Sequence, residues 1–481
     1  MKSVAIVGGG VSGLVAAWHL ATTAPSWKIT VFEADERVGG KLRQEEIAGH
    51  RVDVGAESAL WRRPEVVDLL AELGVEAVHP QRFPALLWSR GSLEALPAGT
   101  LMGIPSDPES ARGLLSDDEV ARAADERPVE ISVPRSEAGD NADDLADISV
   151  GDAVEQALGA AVVDRMVEPL LGGVYAGNAR ELSARACVPP LFKALHDGRR
   201  LTEAARAASS AVSSNDTRQV FGAPTDGMGS LPEALRAGLA DRGVDVVTGA
   251  RVTELRRSLG HRGTWHLEVE RDGLPEPHEA DGVIVTTAAP AAARLLAAIA
   301  PEASDALGGI EYATMAIVTY AFPASVHASL PEGTGFLVPP VDGRTIKAST
   351  FSSVKWPWLA EAAPDVAYVR VSMGRHRDEA VLDHADDELL ALGLDDLGEA
   401  TGLDLPAPLD AHVQRWANGL PQYALGHVER VRRIRDDLTR LPALDVAGAA
   451  LDGVGIPACV ATARAAADRV LDDLAAQDAL A

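Results

Sequence analysis

Three glycines near the start of the chain have a spacing that could hold a phosphate group. Gly8, Gly10 and Gly13 form the pattern Gly-x-Gly-x-x-Gly, and Glu33 follows twenty positions after the last of them. Such glycines allow a tight turn and a close approach of backbone N–H groups to a pyrophosphate, while an acidic residue at that distance can bind ribose hydroxyls. The chemistry indicated is the binding of a dinucleotide.

Two further glycine groups indicate which dinucleotide is bound. "FEADERVGGKLR" places two glycines and Lys41 shortly after Glu33, and "LDGVGIPACVATARAAADRV" places Gly453 and Gly455 directly before an Ala-rich helical pattern. Glycines at a helix start let the backbone approach a ligand, and the helix N-terminus favours negative charge. A nicotinamide must come and go, whereas a flavin stays and is enclosed by distant parts of the chain. We therefore predict FAD.

The elements that must position these residues can be predicted from the hydrophobic pattern. The first residues predict a strand at Ser3–Val7, a helix from about Val11 to Leu20 and a second strand at Lys28–Phe32. Near the C-terminus, "ALDVAGAALDGVGIP" predicts a strand and a glycine turn before another helix. The two ends of the chain should therefore build one composite Rossmann-like domain.

The remaining chain predicts an α/β protein with a mixed-sheet substrate domain and a mainly helical insertion. We assign residues 1–84, 216–300 and 436–481 to the FAD-binding domain, 85–215 to the insertion and 301–435 to the substrate domain. "MAIVTYAF" and "AYVRVSM" predict strands of an antiparallel sheet in the last of these. The stretch 106–149 is acidic and poor in large apolar residues, which predicts a surface loop.

Charge and composition exclude several classes of function. The net charge is −27, so the chain repels a nucleic-acid backbone and an anionic membrane. The two cysteines, Cys187 and Cys459, form no metal-binding or disulfide pattern and indicate a reducing compartment. No segment resembles a signal peptide or a transmembrane helix. We expect a cytoplasmic enzyme without a metal.

Stretches spread from end to end resemble one known family. The chain resembles the protoporphyrinogen oxidase and coproporphyrinogen III oxidase family of the amine-oxidase-like flavoproteins. Its glycine-rich stretches are shared with many flavin oxidases, whereas "EPLLGGVYAG" and "RWANGLPQYALGH" are particular to porphyrinogen oxidation. The acidic stretch 106–149 has no clear counterpart.

The resemblance implies a set of non-covalent FAD contacts. The first glycine turn would hold the pyrophosphate, Glu33 the adenosine ribose, and the backbone of Val252 the adenine. The helix after Pro457 would direct its N-terminal dipole at the flavin, where negative charge grows on reduction. In full, the implied residues are Gly8, Gly9, Gly10, Val11, Ser12, Gly13, Glu33, Ala34, Gly40, Lys41, Gly55, Ala56, Glu57, Ser58, Val252, Trp416, Gly448, Val454, Gly455 and Ile456.

The resemblance also implies the reaction. Three two-electron oxidations would convert a porphyrinogen into an aromatic porphyrin, each passing a hydride from a meso carbon to flavin N5, and oxygen would be reduced to hydrogen peroxide. Because the gain of aromaticity drives the reaction, no strong protein base is needed. The sequence shows no catalytic triad, HExxH motif or carboxylate dyad, so no side chain is assigned as catalytic.

Six side chains are candidates for binding the substrate. Arg63 is preferred to Arg62 because relatives often carry a basic residue there, although both could be solvated arginines beside a helix start. The tyrosines lie in the two most particular stretches, where they either face the macrocycle or simply pack. The candidates are Arg63, Arg62, Tyr175, Lys347, Lys355 and Tyr423.

Within the resemblance, the substrate is coproporphyrinogen, with four propionates, or protoporphyrinogen, with two. The acidic chain and its aromatic content of 4% favour a soluble enzyme and hence coproporphyrinogen III. The expected partners are the porphyrinogen and oxygen, with a transient contact to the next enzyme of heme synthesis. The alternatives are another flavin amine oxidase or desaturase, and a flavoprotein that binds FAD without catalysis.

Overall fold

Residues 1–131, 145–211, 219–258 and 263–479 are described by this computed structural model. The strands up to residue 224 are β1 (Ser3–Val7), β2 (Lys28–Phe32), β3 (Gln44–Ile47), β4 (His50–Asp53), β5 (Ala59–Leu60), β6 (Ala77–Val78), β7 (Leu86–Ser89), β8 (Ser92–Ala95), β9 (Thr100–Leu101), β10 (Ile104–Pro105) and β11 (Phe221–Pro224). The later strands are β12 (Asp245–Val247), β13 (Ala250–Arg257), β14 (Trp265–Arg271), β15 (Leu274–Ala280), β16 (Gly282–Val285), β17 (Tyr312–Pro323), β18 (Gly335–Leu337), β19 (Ile346–Thr350), β20 (Val366–Met373), β21 (Asp410–Pro421) and β22 (Leu444–Val446).

The α-helices are distributed over the same ranges. They are α1 (Val11–Thr23), α2 (Pro64–Leu73), α3 (Asp117–Ala124), α4 (Val150–Leu158), α5 (Ala160–Val162), α6 (Glu168–Tyr175), α7 (Ala184–Cys187), α8 (Pro189–His196), α9 (Leu201–Ala211), α10 (Leu231–Ala240), α11 (Ala289–Leu296), α12 (Pro301–Gly308), α13 (Ser352–Lys355), α14 (Pro357–Ala362), α15 (Asp386–Thr401), α16 (His427–Leu438) and α17 (Ile456–Ala479). A π-helical turn at Val163–Val167 joins α5 to α6. No helix in these ranges is long and apolar enough to cross a bilayer.

A five-stranded parallel sheet combines the two ends of the chain. Its strand order is β12-β2-β1-β16-β22, so the predicted composite of N-terminal and C-terminal units is confirmed. Apolar residues of α1 and α17, such as Leu14 and Val460, pack on one face of the sheet. The opposite face is covered by the antiparallel strands β13–β15 and by α11, α12 and α16. The first helix extends three residues past the predicted end at Leu20.

The second sheet has seven strands in the order β21-β17-β20-β19-β18-β7-β8, and is antiparallel except for the β18–β7 pair. The mixed, mainly antiparallel character is as predicted. However, β7 and β8 lie in the segment 85–215, which was assigned to the helical insertion. They form a hairpin around Arg90 and Gly91, whose φ angles are 52° and 94°. A two-residue turn with positive φ matches the twist of paired strands. The segment 85–215 thus begins with two strands of the second sheet.

The mainly helical insertion consists of α4–α9 and the π-helical turn between them. Its apolar side chains, among them Val154, Leu171 and Leu191, form a core of their own. The acidic stretch 106–149 is not entirely a loop, because α3 begins after Ser116 with a reciprocal cap to Glu119. Residues 132–144 of that stretch lie outside the described residues.

Candidate functional site

The first glycine turn combines two packed glycines with one that faces open space. A Cβ atom on Gly13 would lie 1.8 Å from the carbonyl oxygen of Gly8, and one on Gly8, whose φ is +110°, would lie 2.8 Å from Thr286 Oγ1. A Cβ on Gly10 would meet no atom within 4 Å. The outer glycines thus let α1 approach β1, and the middle one leaves the backbone accessible.

The second glycine pair lies directly against the first turn. The Gly39 N–H group donates a hydrogen bond of 2.8 Å to the carbonyl oxygen of Gly9, and a Cβ on Gly40 would lie 3.4 Å from the Gly10 Cα atom. Glu33, at the end of β2, accepts hydrogen bonds from the N–H groups of Gly9 at 2.6 Å and Asp35 at 2.8 Å. The carboxylate is therefore fixed beside the accessible backbone.

The C-terminal glycine turn lies beside the first glycine turn. The Ser12 hydroxyl donates to the Cys459 carbonyl oxygen at 3.5 Å, which joins the start of α1 to the start of α17. Neither helix has an acidic residue in its first turn. Since the first N–H groups of a helix have no partner within the helix, two helix N-termini present positive potential to one space. Gly455 is exposed at this point.

A third segment, residues 54–57, is held by side chains of the seven-stranded sheet. The Trp416 indole donates to the Val54 carbonyl at 3.2 Å, and the Arg370 guanidinium donates to the Gly55 carbonyl at 2.8 Å. A Cβ on Gly55 would lie 2.0 Å from the Lys41 carbonyl oxygen and 3.2 Å from the Trp416 ring. Only glycine fits here, because three elements converge on its Cα atom.

Glu57 forms the charged centre of this contact. Its carboxylate pairs with Lys355 and, at 2.7 Å, with Arg370. Burial would raise its pKa, but the two cations outweigh burial and hold the pKa at about 2. The neighbouring Asp53 accepts N–H groups of Met228 and Gly229, both at 2.8 Å, and burial raises its pKa to about 6.

Lys41 lies at the centre of this region without a counter-ion. Its ammonium is 5.9 Å from the centroid of the Tyr312 ring, and burial lowers its pKa while the nearby Cys459 acts in the opposite direction. Among the described residues, no carboxylate forms an ion pair with it. A buried cation without a partner is costly, so this position suits an anionic ligand.

The six substrate candidates differ in their exposure and in their ion pairs. Arg63 is exposed at the start of α2 and pairs with Glu65 of that helix, while Arg62 is partly buried beside it. The Lys355 ammonium is engaged by Glu57 and so does not serve as an open carboxylate site. The remaining candidates, Tyr175, Tyr423 and Lys347, are buried.

The two tyrosines lie together between the insertion and the C-terminal turn. Their ring centroids are 5.6 Å apart, and the Cys187 thiol donates to the Tyr423 carbonyl oxygen at 3.8 Å. The Tyr423 hydroxyl donates to the Ala449 carbonyl at 2.6 Å and accepts the Gly453 N–H group at 2.8 Å. Tyr423 therefore fixes the C-terminal glycine turn.

Comparison with known proteins identifies the class of dinucleotide protein. Residues 11–471 match the family described as flavin containing amine oxidoreductase. The chain belongs to this family of flavin oxidoreductases. It is therefore an oxidoreductase whose cofactor is a flavin.

Within the flavin oxidoreductases, the chain is similar to porphyrinogen oxidases over its full length. A Mycobacterium tuberculosis protein named coproporphyrinogen III oxidase is 38% identical to it over 99% of both chains. Human protoporphyrinogen oxidase is 30% identical over 98% of both chains. A solved structure from Exiguobacterium sp. 255-15, assigned as a protoporphyrinogen oxidase, has a TM-score of 0.81 at 30% identity and covers 98% of this chain and 99% of that chain.

The residues of this flavin oxidoreductase fit a flavin dinucleotide. The open space at Gly10, the paired helix N-termini and the unpaired Lys41 offer donors and positive charge to a pyrophosphate and to a flavin ring. Val252 lies in β13, whose first residue Ala250 donates to the Glu33 carbonyl at 2.8 Å, so it is close to the predicted adenosine end. The other predicted contacts, Ala34, Ala56, Ser58, Gly448, Val454 and Ile456, lie on the same turns.

Several residues of the site escaped the sequence analysis. Arg370 is the one charged residue of strand β20, and that exception was the available signal. Arg375, just after the same strand, and Met315 of β17 gave no signal of their own. Strand register brings Met315 to the site, since it lies directly opposite Trp416. The described residues contain no cluster of three or more side chains suited to a metal ion.

Proposed function

We propose that this chain catalyses the FAD-dependent, six-electron oxidation of coproporphyrinogen III to coproporphyrin III in heme biosynthesis. Oxygen is the acceptor, and each porphyrin formed is accompanied by three molecules of hydrogen peroxide. The observation that supports this most strongly is the 38% identity, over 99% of both chains, to a relative named coproporphyrinogen III oxidase. The glycine-lined space beside two helix N-termini without acidic residues in their first turns would supply the cofactor site that this reaction requires.

A bound FAD would supply the hydride acceptor and transfer the electrons to oxygen. The protein's part is to hold and shield the reactants: backbone N–H groups at Gly10 and Gly455 and the Lys41 ammonium would bind the cofactor. Ala313, Met315 and Trp416 form an apolar cluster against the segment 54–57 and would exclude water from the macrocycle. No side chain is required as a strong base.

The cofactor is held without a covalent bond. Cys459 lies at the start of α17 beside Lys41, and burial raises the pKa of its thiol despite the nearby ammonium. A protonated thiol is a poor nucleophile, so this residue does not attach the flavin. Both cysteines are unpaired, which suits a reducing cytoplasm. A transient contact with the enzyme that takes up coproporphyrin would limit the loss of product.

The second candidate substrate is protoporphyrinogen IX, supported by the 30% identity to the human protoporphyrinogen oxidase. Coproporphyrinogen is preferred because the site contains buried cations in excess of what the described carboxylates neutralise. A flavin amine oxidase acting on a simple amine, or a flavoprotein without catalysis, is the less favoured alternative.

An anaerobic experiment tests this function. The purified protein is expected to be yellow and to release FAD on denaturation. Adding coproporphyrinogen III without oxygen should bleach the flavin absorbance, because each bound FAD accepts the first two electrons. Admitting oxygen should then reoxidise the flavin and produce the porphyrin spectrum, whereas coproporphyrin III or a simple amine should not bleach the flavin. Flavin that stays oxidised with both porphyrinogens would overturn the proposal, and a colourless protein unable to bind FAD would overturn the cofactor assignment as well.

A further inference from the structure

Lys347 is a buried cation on the sheet that faces the insertion. It lies in β19 with 6% of its surface exposed. Its ammonium donates to the Gly374 carbonyl at 2.9 Å and approaches the Met315 sulfur at 3.9 Å. An ammonium has three donors, and the Gly374 carbonyl is the single oxygen that accepts from it among the described residues. The Lys347 ammonium is thus oriented by this carbonyl, but its hydrogen-bonding capacity is only partly used by the described residues.

Arg375 brings a second positive charge to the same place. It follows β20, and its guanidinium donates to the Val338 carbonyl at 3.0 Å. Burial lowers its pKa, with Asp378 and Glu168 acting in the opposite direction from a distance. In the described parts of the chain, neither Arg375 nor Lys347 forms an ion pair with a carboxylate. We define these two side chains as the Lys347–Arg375 pocket.

The energetic cost of the pocket indicates a ligand. Burial, together with the charge of Arg375, lowers the pKa of Lys347 to about 7. Two neighbouring cations without an anion repel each other and lose hydration. A carboxylate placed between them would neutralise the site and supply the missing acceptors, in charge-assisted hydrogen bonds that are stronger than neutral ones.

The position of the pocket relates it to the cofactor site. Met315 contacts Lys347 and belongs to the apolar cluster with Ala176, at the end of α6, and Trp416. Trp416 in turn holds the segment 54–57 of the cofactor site. The pocket therefore lies between the sheet and the insertion, one side chain away from the residues that line the flavin.

We propose that the Lys347–Arg375 pocket binds a carboxylate on the inner edge of the macrocycle and selects a tetracarboxylate porphyrinogen over a dicarboxylate. The inference rests on the proposed function and names the determinant of its substrate. A porphyrinogen with two propionates on adjacent rings can keep both in water at the mouth of the site. A porphyrinogen with propionates on all four rings must also place a carboxylate in the interior of the site. There a buried cation is needed to neutralise its charge.

The variant Lys347→Met tests the pocket, because it removes the charge and keeps the length and packing of the side chain. One charge-assisted hydrogen bond is worth about 1.5–3 kcal/mol, so KM for coproporphyrinogen should rise about ten- to a hundredfold. KM for protoporphyrinogen should change far less, and Arg375→Gln should act in the same direction. Lys193→Met, on an exposed side chain paired with Asp197, is the matched control and should resemble wild type.

Two further measurements keep the result independent of turnover and of folding. Equilibrium titration with coproporphyrin III, followed by tryptophan quenching, should show the same loss of affinity in Lys347→Met. In wild type, kcat/KM for coproporphyrinogen should fall above about pH 7 as Lys347 loses its proton, and the variant should lack this decline. The other charges facing the pocket are Arg375, Glu168 and Asp378, and burial raises the pKa of Glu168.

The outcomes separate this inference from the proposed function. Equal losses on both porphyrinogens, or unchanged coproporphyrin binding in both variants, would overturn the pocket while leaving porphyrinogen oxidation intact. If wild type oxidised neither porphyrinogen, the proposed function would fail, and the coproporphyrin titration would still decide whether the pocket binds a carboxylate. Should Lys347→Met fail to fold, Arg375→Gln provides the same comparison.

Discussion

At the scale of single residues, the carboxylate of Glu33 has a structural task, and we propose that it also binds the ribose. It accepts the N–H groups of Gly9 and Asp35, which fixes the first glycine turn against the end of β2. An ionised carboxylate offers about four acceptor sites, so two remain for the hydroxyl groups of a ribose. The same residue therefore shapes the turn and keeps acceptor capacity for a ligand.

The variant Glu33→Ala should weaken FAD binding about ten- to a hundredfold, because charge-assisted hydrogen bonds worth about 1.5–3 kcal/mol are lost. The dissociation constant of the apo-protein for FAD, measured by quenching of flavin fluorescence, checks this. Excess FAD should recover much of the activity. Glu36→Ala, on an exposed side chain three residues away, is the control, and an unchanged dissociation constant in Glu33→Ala would show that the ribose is bound elsewhere.

At the scale of elements, the turn before α17 depends on a residue from another part of the chain. The Tyr423 hydroxyl bridges the Ala449 carbonyl and the Gly453 N–H group, and its ring stacks on His427 at 3.8 Å. The turn itself includes two glycines at positive φ, Gly448 and Gly453. Their backbone freedom makes an external brace necessary.

The variant Tyr423→Phe should lower the free energy of unfolding by about 1–3 kcal/mol, because it leaves a buried N–H group without a partner. It should also weaken FAD binding, since the start of α17 becomes less ordered. Urea denaturation and FAD titration measure the two effects. The control is Tyr320→Phe in the seven-stranded sheet, which removes a hydroxyl that donates to the Leu390 carbonyl. It should lower stability without weakening FAD binding. An equal loss of FAD affinity in both variants would contradict the role of Tyr423 as a brace.

The elements differ in how far the sequence predicts them. The first strands have the predicted bounds, because alternating apolar residues and a glycine motif act locally. The hairpin β7–β8 was missed although Arg90-Gly91 is a turn signal, since its partner β18 is remote in sequence. The predicted cofactor turns lie together in space. Arg370 and Arg375 were not predicted as site residues, because the pairing of β20 with strands that are remote in sequence, which no local pattern encodes, brings this part of the chain to the site.

At the scale of the whole molecule, Glu57 joins the segment after β4 to the seven-stranded sheet and its neighbouring helix α13. The carboxylate belongs to the segment after β4, and its partners are Lys355 at the end of α13 and Arg370 of β20 in the seven-stranded sheet. The folded pKa of about 2 lies below the ordinary value of 4.5. The contribution of this carboxylate to stability is therefore fully present once the pH exceeds about 4.5, and it is lost as the pH falls toward 2.

The variant Glu57→Gln should destabilise the protein by about 3–5 kcal/mol near neutral pH, because it leaves two poorly hydrated cations without their anion. Urea denaturation over a range of pH should show the gap to wild type narrowing below about pH 4.5. Glu57→Gln combined with Lys355→Met should recover part of the loss. The control is Glu65→Gln, which breaks the more exposed pair with Arg63 and should lower the free energy of unfolding by less than about 1 kcal/mol. A similarly small decrease for Glu57→Gln would contradict the joining role of Glu57.

The central claim is that this flavin oxidoreductase converts a porphyrinogen completely to a porphyrin. The most direct test is aerobic turnover of coproporphyrinogen III by the FAD-loaded protein, with porphyrin absorbance and hydrogen peroxide followed together and the spontaneous rate subtracted. The account predicts three molecules of peroxide for each coproporphyrin formed, at a rate proportional to enzyme concentration. Porphyrin formation no faster than in the enzyme-free control would contradict it.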